Sequence, residues 1–465
     1  MKNMSLDLLR KESIEKYLAN DNSFKKTLTA KDLISMGVGA VIGTGIFILP
    51  GTVAANYAGP AVTLSFLIAA LVCVLSAMAY AEFSSTLPVA GSAYSYGNII
   101  YGELVGWILG WALILEYMLS VAAVAAGWSS YFQSFLAPFN ITLPKYLVSS
   151  FNPAKGTYVD IIAILVVLLI TFLLSRGMKD SVKVNNFAVV LKIAIILAFI
   201  IMGLNFIKPE NYHPFIPYKF NGVIKGATTV FFAFLGFDCV SSSAAEVKNP
   251  QRNMPLGIIG TLLIASVFYM GVSIVLTGMV HYTKLDVANP VAFALEFVHQ
   301  NWLAQLLSLG ALVGMATMML TMIYASSRLV YAMARDGLLP NSLAKLSGKN
   351  KIPQISLWFV AIIISLGAGV FSVDQLTSLV NFGTLLAFTL TSFGVLLLRK
   401  RKDLPNNGYK MPGYPVLPII SGLICLYLLT QLNLDVYIMA VVWFIIGLIL
   451  YFTYGYKHSH LNSNY

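Results

Sequence analysis

The chain has 465 residues, of which 58% are hydrophobic and only 11% charged, and its 30 Lys and Arg against 19 Asp and Glu leave a net charge of +11. Soluble domains carry roughly 25% charged residues, so the composition excludes a soluble globular protein and indicates an all-α polytopic membrane protein. The positive excess is spread over many short segments, which fits loops beside anionic lipid and not a nucleic-acid surface.

In chain order, residues 1–30 form a polar tail without an apolar stretch ahead of a small-residue cleavage site, so no cleaved signal peptide is expected. Apolar runs of about 20 residues, each enough to cross a bilayer of about 30 Å, then recur. They fall near 31–57, 61–86, 98–136, 157–175, 184–207, 222–246, 254–282, 301–334, 354–372, 375–399, 416–432 and 434–456, which predicts twelve transmembrane helices. Cytoplasmic loops retain Lys and Arg. With the N-terminus inside, twenty-three of these residues fall on the inner side and six on the outer, so both termini are expected in the cytoplasm of a multi-pass cell-membrane protein. The remaining one, Lys192, lies within a run.

The chain reads as a cytoplasmic tail (1–30), a ten-helix transport core (31–400), a basic loop with two additional helices (401–456) and a cytoplasmic tail (457–465). Cys73, Cys239 and Cys425 each lie inside a run with no paired spacing, and the five histidines lie in loops or the tail, so neither disulfide frame, metal site nor cofactor is expected. HExxH and GxSxG motifs do not occur, which argues against an enzyme. The sequence identifies no protein partner.

Two runs are built to break. The first holds GVGAVIGTGIFILPG (Gly37–Gly51), although an interior Gly costs a helix about 1 kcal/mol relative to Ala. The sixth holds FFAFLGFD (residues 231–238), with Gly236 ahead of an acid. Gly39 and Gly43 alone fit close helix packing equally well. Discontinuous helices five spans apart, and therefore of opposite direction, instead point to an inverted-repeat secondary transporter with its substrate site between the breaks.

Unwound backbone is tolerated in lipid only where a cavity or ligand satisfies it. The amides of Gly43, Thr44 and Gly45, at the positive end of the second half-helix, suit a carboxylate. The carbonyls of Val41, Phe232, Ala233 and Leu235 suit an ammonium. Such a site reads the common part of every amino acid, so the expected partners are an amino acid substrate and the bilayer. Phe232 is placed as a lid over the ligand, against a plain packing role. Glu116, in the third run, reads either as a pocket wall or proton carrier, or as a packing group bonded to a neighbouring Tyr. Lys192 is a functional-site residue by default, or a side chain snorkelling to the interface.

Together with YAEFSSTLPVAGSAYSY (Tyr80–Tyr96), EVKNPQRNMPLGI (Glu246–Ile258) and SSRLVYAMARDGLLP (Ser326–Pro340), the two broken motifs resemble the amino acid, polyamine and organocation transporter superfamily. The branch is the one that holds cationic amino acid transporters and their bacterial relatives. The resemblance implies a LeuT-type fold of five plus five inverted helices, discontinuous at helices one and six, followed by two more. It implies alternating access for amino acids, with the same backbone groups holding the ligand. It also implies proton symport, in which Lys192 replaces a sodium ion and its ammonium bridges carbonyls near Gly37 or Val38 and the hydroxyl of Thr317. An amino acid exchanger and a non-transporting sensor remain as alternatives. Ala245 stands where members commonly carry an acid before Glu246, which leaves cationic substrate choice open.

Overall fold

The computed structural model describes residues 10, 11, 26, 28–89, 91–139, 143–176, 181–347, 352–404 and 407–462. Most of the tail expected over 1–30 lies outside the described residues, as do Lys179, Lys349 and Lys351 of the charge count and the last three residues. The described residues are mainly helical; β pairing among them is confined to isolated bridges.

The first run starts as α1 (Ala30–Val41), where the Asp32 carboxylate accepts both the N–H and the hydroxyl of Thr29. It stops at Ile42 and Gly43 and resumes as α2 (Thr44–Phe47) and α3 (Leu49–Val53), with a wide turn through Ala58. Next come α4 (Val62–Thr86), α5 (Ser92–Ile100), α6 (Glu103–Leu136), α7 (Ile161–Arg176) and α8 (Ser181–Gly203). The sixth run is α9 (Lys219–Val230), a tighter turn over Phe231–Phe234, then α10 (Phe237–Ser241). The rest are α11 (Pro250–Met279), α12 (Pro290–Phe297), α13 (Asn301–Arg335), α14 (Gln354–Val370), α15 (Val373–Leu398), α16 (Val416–Thr430) and α17 (Leu434–Leu450).

Among the described residues, eight helical stretches are long and apolar enough to cross a membrane, and Ile161–Arg176, Gln354–Val370 and Val416–Leu429 are shorter apolar helices. Leu165, Leu169, Phe187, Ile201, Leu263, Leu434 and Ile445 stand exposed along these helices. An apolar surface of this extent belongs against lipid. Two differences from the sequence reading have local causes. The run predicted over 98–136 is two helices, because Gly102 takes a φ of +114° and turns the chain between α5 and α6. The short α12, between α11 and α13, escapes a search for membrane-length runs.

Helix α11 packs on α4 and α1, while α13 and α15 pack on α6. Ion pairs and polar clasps fasten the end of the bundle where Arg10 and Ser459 lie. Arg399 clamps Glu82 at 2.6 and 2.8 Å, and the Met411 N–H donates to the same carboxylate at 2.7 Å. Glu103 accepts from Arg10 at 2.7 and 3.1 Å, from the Tyr451 hydroxyl at 2.8 Å and from the Ser459 hydroxyl. Leu28, ahead of α1, pairs with the stretch after α10: its N–H donates to the Glu246 carbonyl at 3.1 Å, and its carbonyl accepts from the Lys248 N–H at 2.9 Å.

Candidate functional site

The two breaks meet in the middle of the bundle. A Cβ built on Gly45 would lie 2.7 Å from the Cα and Cβ of Ala233, so the absence of a side chain lets α2 touch the turn of the sixth run. In the sixth run Leu235 is extended, and Gly236, at φ +108°, restarts the helix. A non-glycine residue is strained in that conformation. Val41, Gly43, Thr44, Gly45, Phe232, Ala233 and Leu235 are all buried.

The last carbonyls and first N–H groups of a helix lack intrahelical partners. The Tyr269 hydroxyl, from α11, lies 2.9 Å from the Val41 carbonyl and 2.5 Å from that of Ala233. One hydroxyl thus bridges the two breaks through two of the four carbonyls expected to hold an ammonium. The Tyr269 ring packs against those of Phe66 and Phe234, with centroids 5.4 and 5.0 Å apart. The Phe232 carbonyl accepts from the Leu235 N–H at 3.2 Å within the turn. The donors at the start of α2 belong to Thr44 and Gly45. The hydroxyl of Thr44 points to Met315 Sδ at 3.5 Å.

Helix α13 faces the breaks with methionines. A Cβ on Gly43 would come within 2.1 Å of Met318 Sδ, one on Gly236 within 2.9 Å of Met322 Cε, and Met315 meets Thr44. Positions 315, 318 and 322 share one helical face. An unbranched, polarizable side chain of this kind moulds to varied apolar ligands.

Lys192, on α8, is fully buried, and its Nζ donates to the carbonyls of Gly39 and Ile42, both at 2.8 Å. The expected acceptors were the carbonyls near Gly37 and Val38 and the hydroxyl of Thr317. The Val38 carbonyl is taken by the Ile42 N–H at 3.1 Å, and Gly37 faces Thr261 of α11. The Thr317 hydroxyl donates to the Gly314 carbonyl at 2.8 Å. Helix α13 meets Lys192 through Gly314 instead, where a Cβ would stand 3.3 Å from the lysine Cδ. The contact therefore moves to the carbonyls that the break has released from the helix.

Glu116 is completely buried beside Asp238 and Thr384, and among the described residues neither of its oxygens has a hydrogen-bond partner. The tyrosine bond offered as its packing role goes elsewhere: Tyr117 donates to Asp238 Oδ2 at 2.5 Å. No group of three or more His, Cys, Asp or Glu side chains that could hold a metal occurs among the described residues. Tyr269, Gly314 and the three methionines were not picked out from the sequence. The cluster MATMMLTM was the one visible signal, and it gives no hint of which face meets the breaks.

A family model described as "Amino acid permease" matches residues 28–454. The chain is 48% identical to the methylthioribose transporter of Bacillus subtilis (strain 168), over 98% of this chain and 99% of that protein. It is 45% identical to the branched-chain amino acid permease BcaP of the same organism, over 99% and 100%. It is 37% identical to the vacuolar cationic amino acid transporter 4 of Arabidopsis thaliana, over 84% and 67%.

Proposed function

The chain belongs to the amino acid permease family, and on that footing we propose that it imports neutral, apolar amino acids by proton symport with alternating access. It is a membrane transporter and not an enzyme. The observation that carries the substrate class is the junction of the two breaks against a methionine wall: Gly45 against Ala233, with Met315, Met318 and Met322 alongside. Main-chain amides at Gly43–Gly45 and carbonyls at Val41, Phe232, Ala233 and Leu235 hold the carboxylate and ammonium. The methionines receive an apolar side chain, in keeping with a relative named for branched-chain amino acids.

Around this site we place twelve spans as a five-plus-five inverted repeat over 31–400, two further helices over 401–456, and both termini in the cytoplasm of a cell-membrane protein. Lys192 is the coupling group. An ammonium buried without a carboxylate is stable only where acceptors are presented to it, and those acceptors are carbonyls of the break itself. Proton binding at Lys192 is thereby linked to the shape of the substrate site. Phe232 closes over the ligand, and Glu116, buried beside Asp238 and Thr384, serves as a pocket wall or proton carrier.

A second reading is favoured by the methylthioribose transporter. A methylthio group suits the methionine face as well as a branched alkyl group does.

The test uses purified protein in sodium-free vesicles, acidic outside and neutral inside. Radiolabelled L-isoleucine should accumulate, and a protonophore should abolish the accumulation. Uptake seen only against preloaded amino acid would replace symport by exchange, and binding without uptake would make the protein a sensor. Methylthioribose uptake without isoleucine uptake would favour the second reading.

A further inference from the structure

Where the sixth run restarts, Asp238 on α10 and Glu116 on α6 are both completely buried and act on each other electrostatically. The Tyr117 hydroxyl donates to Asp238 Oδ2 at 2.5 Å, and Oδ1 has no hydrogen-bond partner among the described residues. Neither oxygen of Glu116 has one, nor do the buried hydroxyls of Ser120, Tyr80, Tyr96 and Thr391. Ser120 follows Glu116 by one turn of α6 and shares its face. Tyr80 of α4 acts on both carboxyls, Tyr96 of α5 acts on Asp238, and Thr391 of α15 reaches Tyr80. Oxygens from α4, α5, α6, α10 and α15 are thus gathered in one buried place with bonding capacity unused.

Buried polar groups are nearly always satisfied, so a cluster of them left over needs an explanation. Packing gives none, because apolar side chains would fill the same space without the cost of desolvation. The groups that surround the two carboxyls are hydroxyls, the three tyrosine phenols among them, and the Cys239 thiol. Neither carboxyl takes part in an ion pair among the described residues. Two carboxylates without a cation cannot both stay ionised in a dry interior. Tyr117 donates to Asp238 and nothing donates to Glu116, so a single proton belongs on Glu116, with the free Oδ1 of Asp238 as its acceptor. The two acids interact without touching, and a polar gap with several partners is where a protein holds internal water.

The two acids also stand on different bodies. Asp238 lies in the half-helix beyond the second break, whereas Glu116 lies on α6, which packs on α13 and α15.

We propose that Glu116 and Asp238 share one proton through internal water, and that this pair is a second proton-binding site, set on the second break as Lys192 is set on the first. When α10 swings away from α6, water reaches both carboxyls, both ionise, and the proton leaves to the cytoplasm. The Ser241 hydroxyl donates to the Asp238 carbonyl at 2.6 Å and lies 2.7 Å from that of Ser92 at the start of α5, which marks the way out. Together with Lys192, two protons then accompany each substrate. The inference rests on the proposed proton symport and deepens the part of Glu116 in it.

The test is infrared spectroscopy of the full-length protein in lipid nanodiscs at about pH 8, well above the ordinary carboxyl value of about 4, with the number of protons moved per isoleucine measured in vesicles. The wild type should show the carbonyl stretch of a protonated carboxylic acid, shifted in heavy water. Glu116→Gln should lose this band, and Asp238→Asn should keep it at a changed frequency, because the acceptor of the proton has changed. Wild-type vesicles should move two protons per isoleucine and Glu116→Gln vesicles one.

A wild type without the band, a band that survives Glu116→Gln, or one untouched by Asp238→Asn overturns the shared proton and leaves symport standing. One proton per isoleucine in both wild type and Glu116→Gln overturns the second coupling site. Isoleucine accumulation without proton movement overturns the proposed symport instead, and the band then decides the pair alone. Should Glu116→Gln fail to fold, the wild-type stoichiometry and the effect of Asp238→Asn on the band still decide.

Discussion

The ammonium of Lys192 lies 2.8 Å from the carbonyl of Ile42, the residue at which the first membrane helix comes apart. A second bond of the same length reaches Gly39, so one side chain satisfies two carbonyls that no helical N–H can reach. Removing it leaves both buried and unpaired, at a cost of about 1–3 kcal/mol each. Lys192→Ala should therefore lower the melting temperature and abolish acid-stimulated isoleucine uptake, while counterflow persists at a reduced rate. Acid-stimulated, protonophore-sensitive uptake at the wild-type level in this variant would remove Lys192 from the coupling mechanism.

Tyr269→Phe takes away the hydroxyl shared by Val41 and Ala233 and nothing of the ring packing. The apo protein should lose about 1–3 kcal/mol of stability. A ligand ammonium can supply the missing donor. The thermal shift produced by saturating isoleucine should therefore be larger in the variant than in the wild type, measured side by side in the same detergent. An equal or smaller shift would show that ligand and tyrosine do not compete for these carbonyls.

Gly45→Leu drives a side chain into Ala233. Because the backbone here is assigned to the carboxylate and ammonium and not to any particular side chain, binding at the central site should fall for all substrates together. Competition assays across the amino acids that stabilise the wild type would expose a selective loss, which contradicts that division.

Met318 fills the space beside Gly43. Met318→Ala should widen the apolar wall and shift preference toward larger side chains, with phenylalanine gaining on valine by a few-fold in competition for isoleucine uptake. Unchanged relative inhibition would put the side-chain pocket on another face.

Much of this was legible because membrane helices announce themselves by composition. The apolar helices show in composition, and the breaks at Gly43 and Gly236 are written in residues whose cost in a helix demands a reason. Tyr269 was hidden because it sits in an unbroken apolar run, and only the crossing of α11 past both breaks gives its hydroxyl a task. The partners of Lys192 lie one and four residues beyond Val38, at Gly39 and Ile42. The reading placed them on intact helix, where carbonyls are already used, and the ammonium goes to those set free. Gly314 looked like any small residue of a packed helix, and its meaning comes from the lysine stem it admits.

The pairing of Leu28 with Glu246 and Lys248 has a mechanical consequence. It splices the strand of chain leading into the first broken helix to the strand leaving the second, on the same side of both breaks. Neither half-helix on that side can swing without pulling its counterpart. In an alternating-access cycle of the kind proposed above, that end of the molecule would turn as a single shutter on two hinges, one at Ile42 and Gly43 and the other at Leu235 and Gly236.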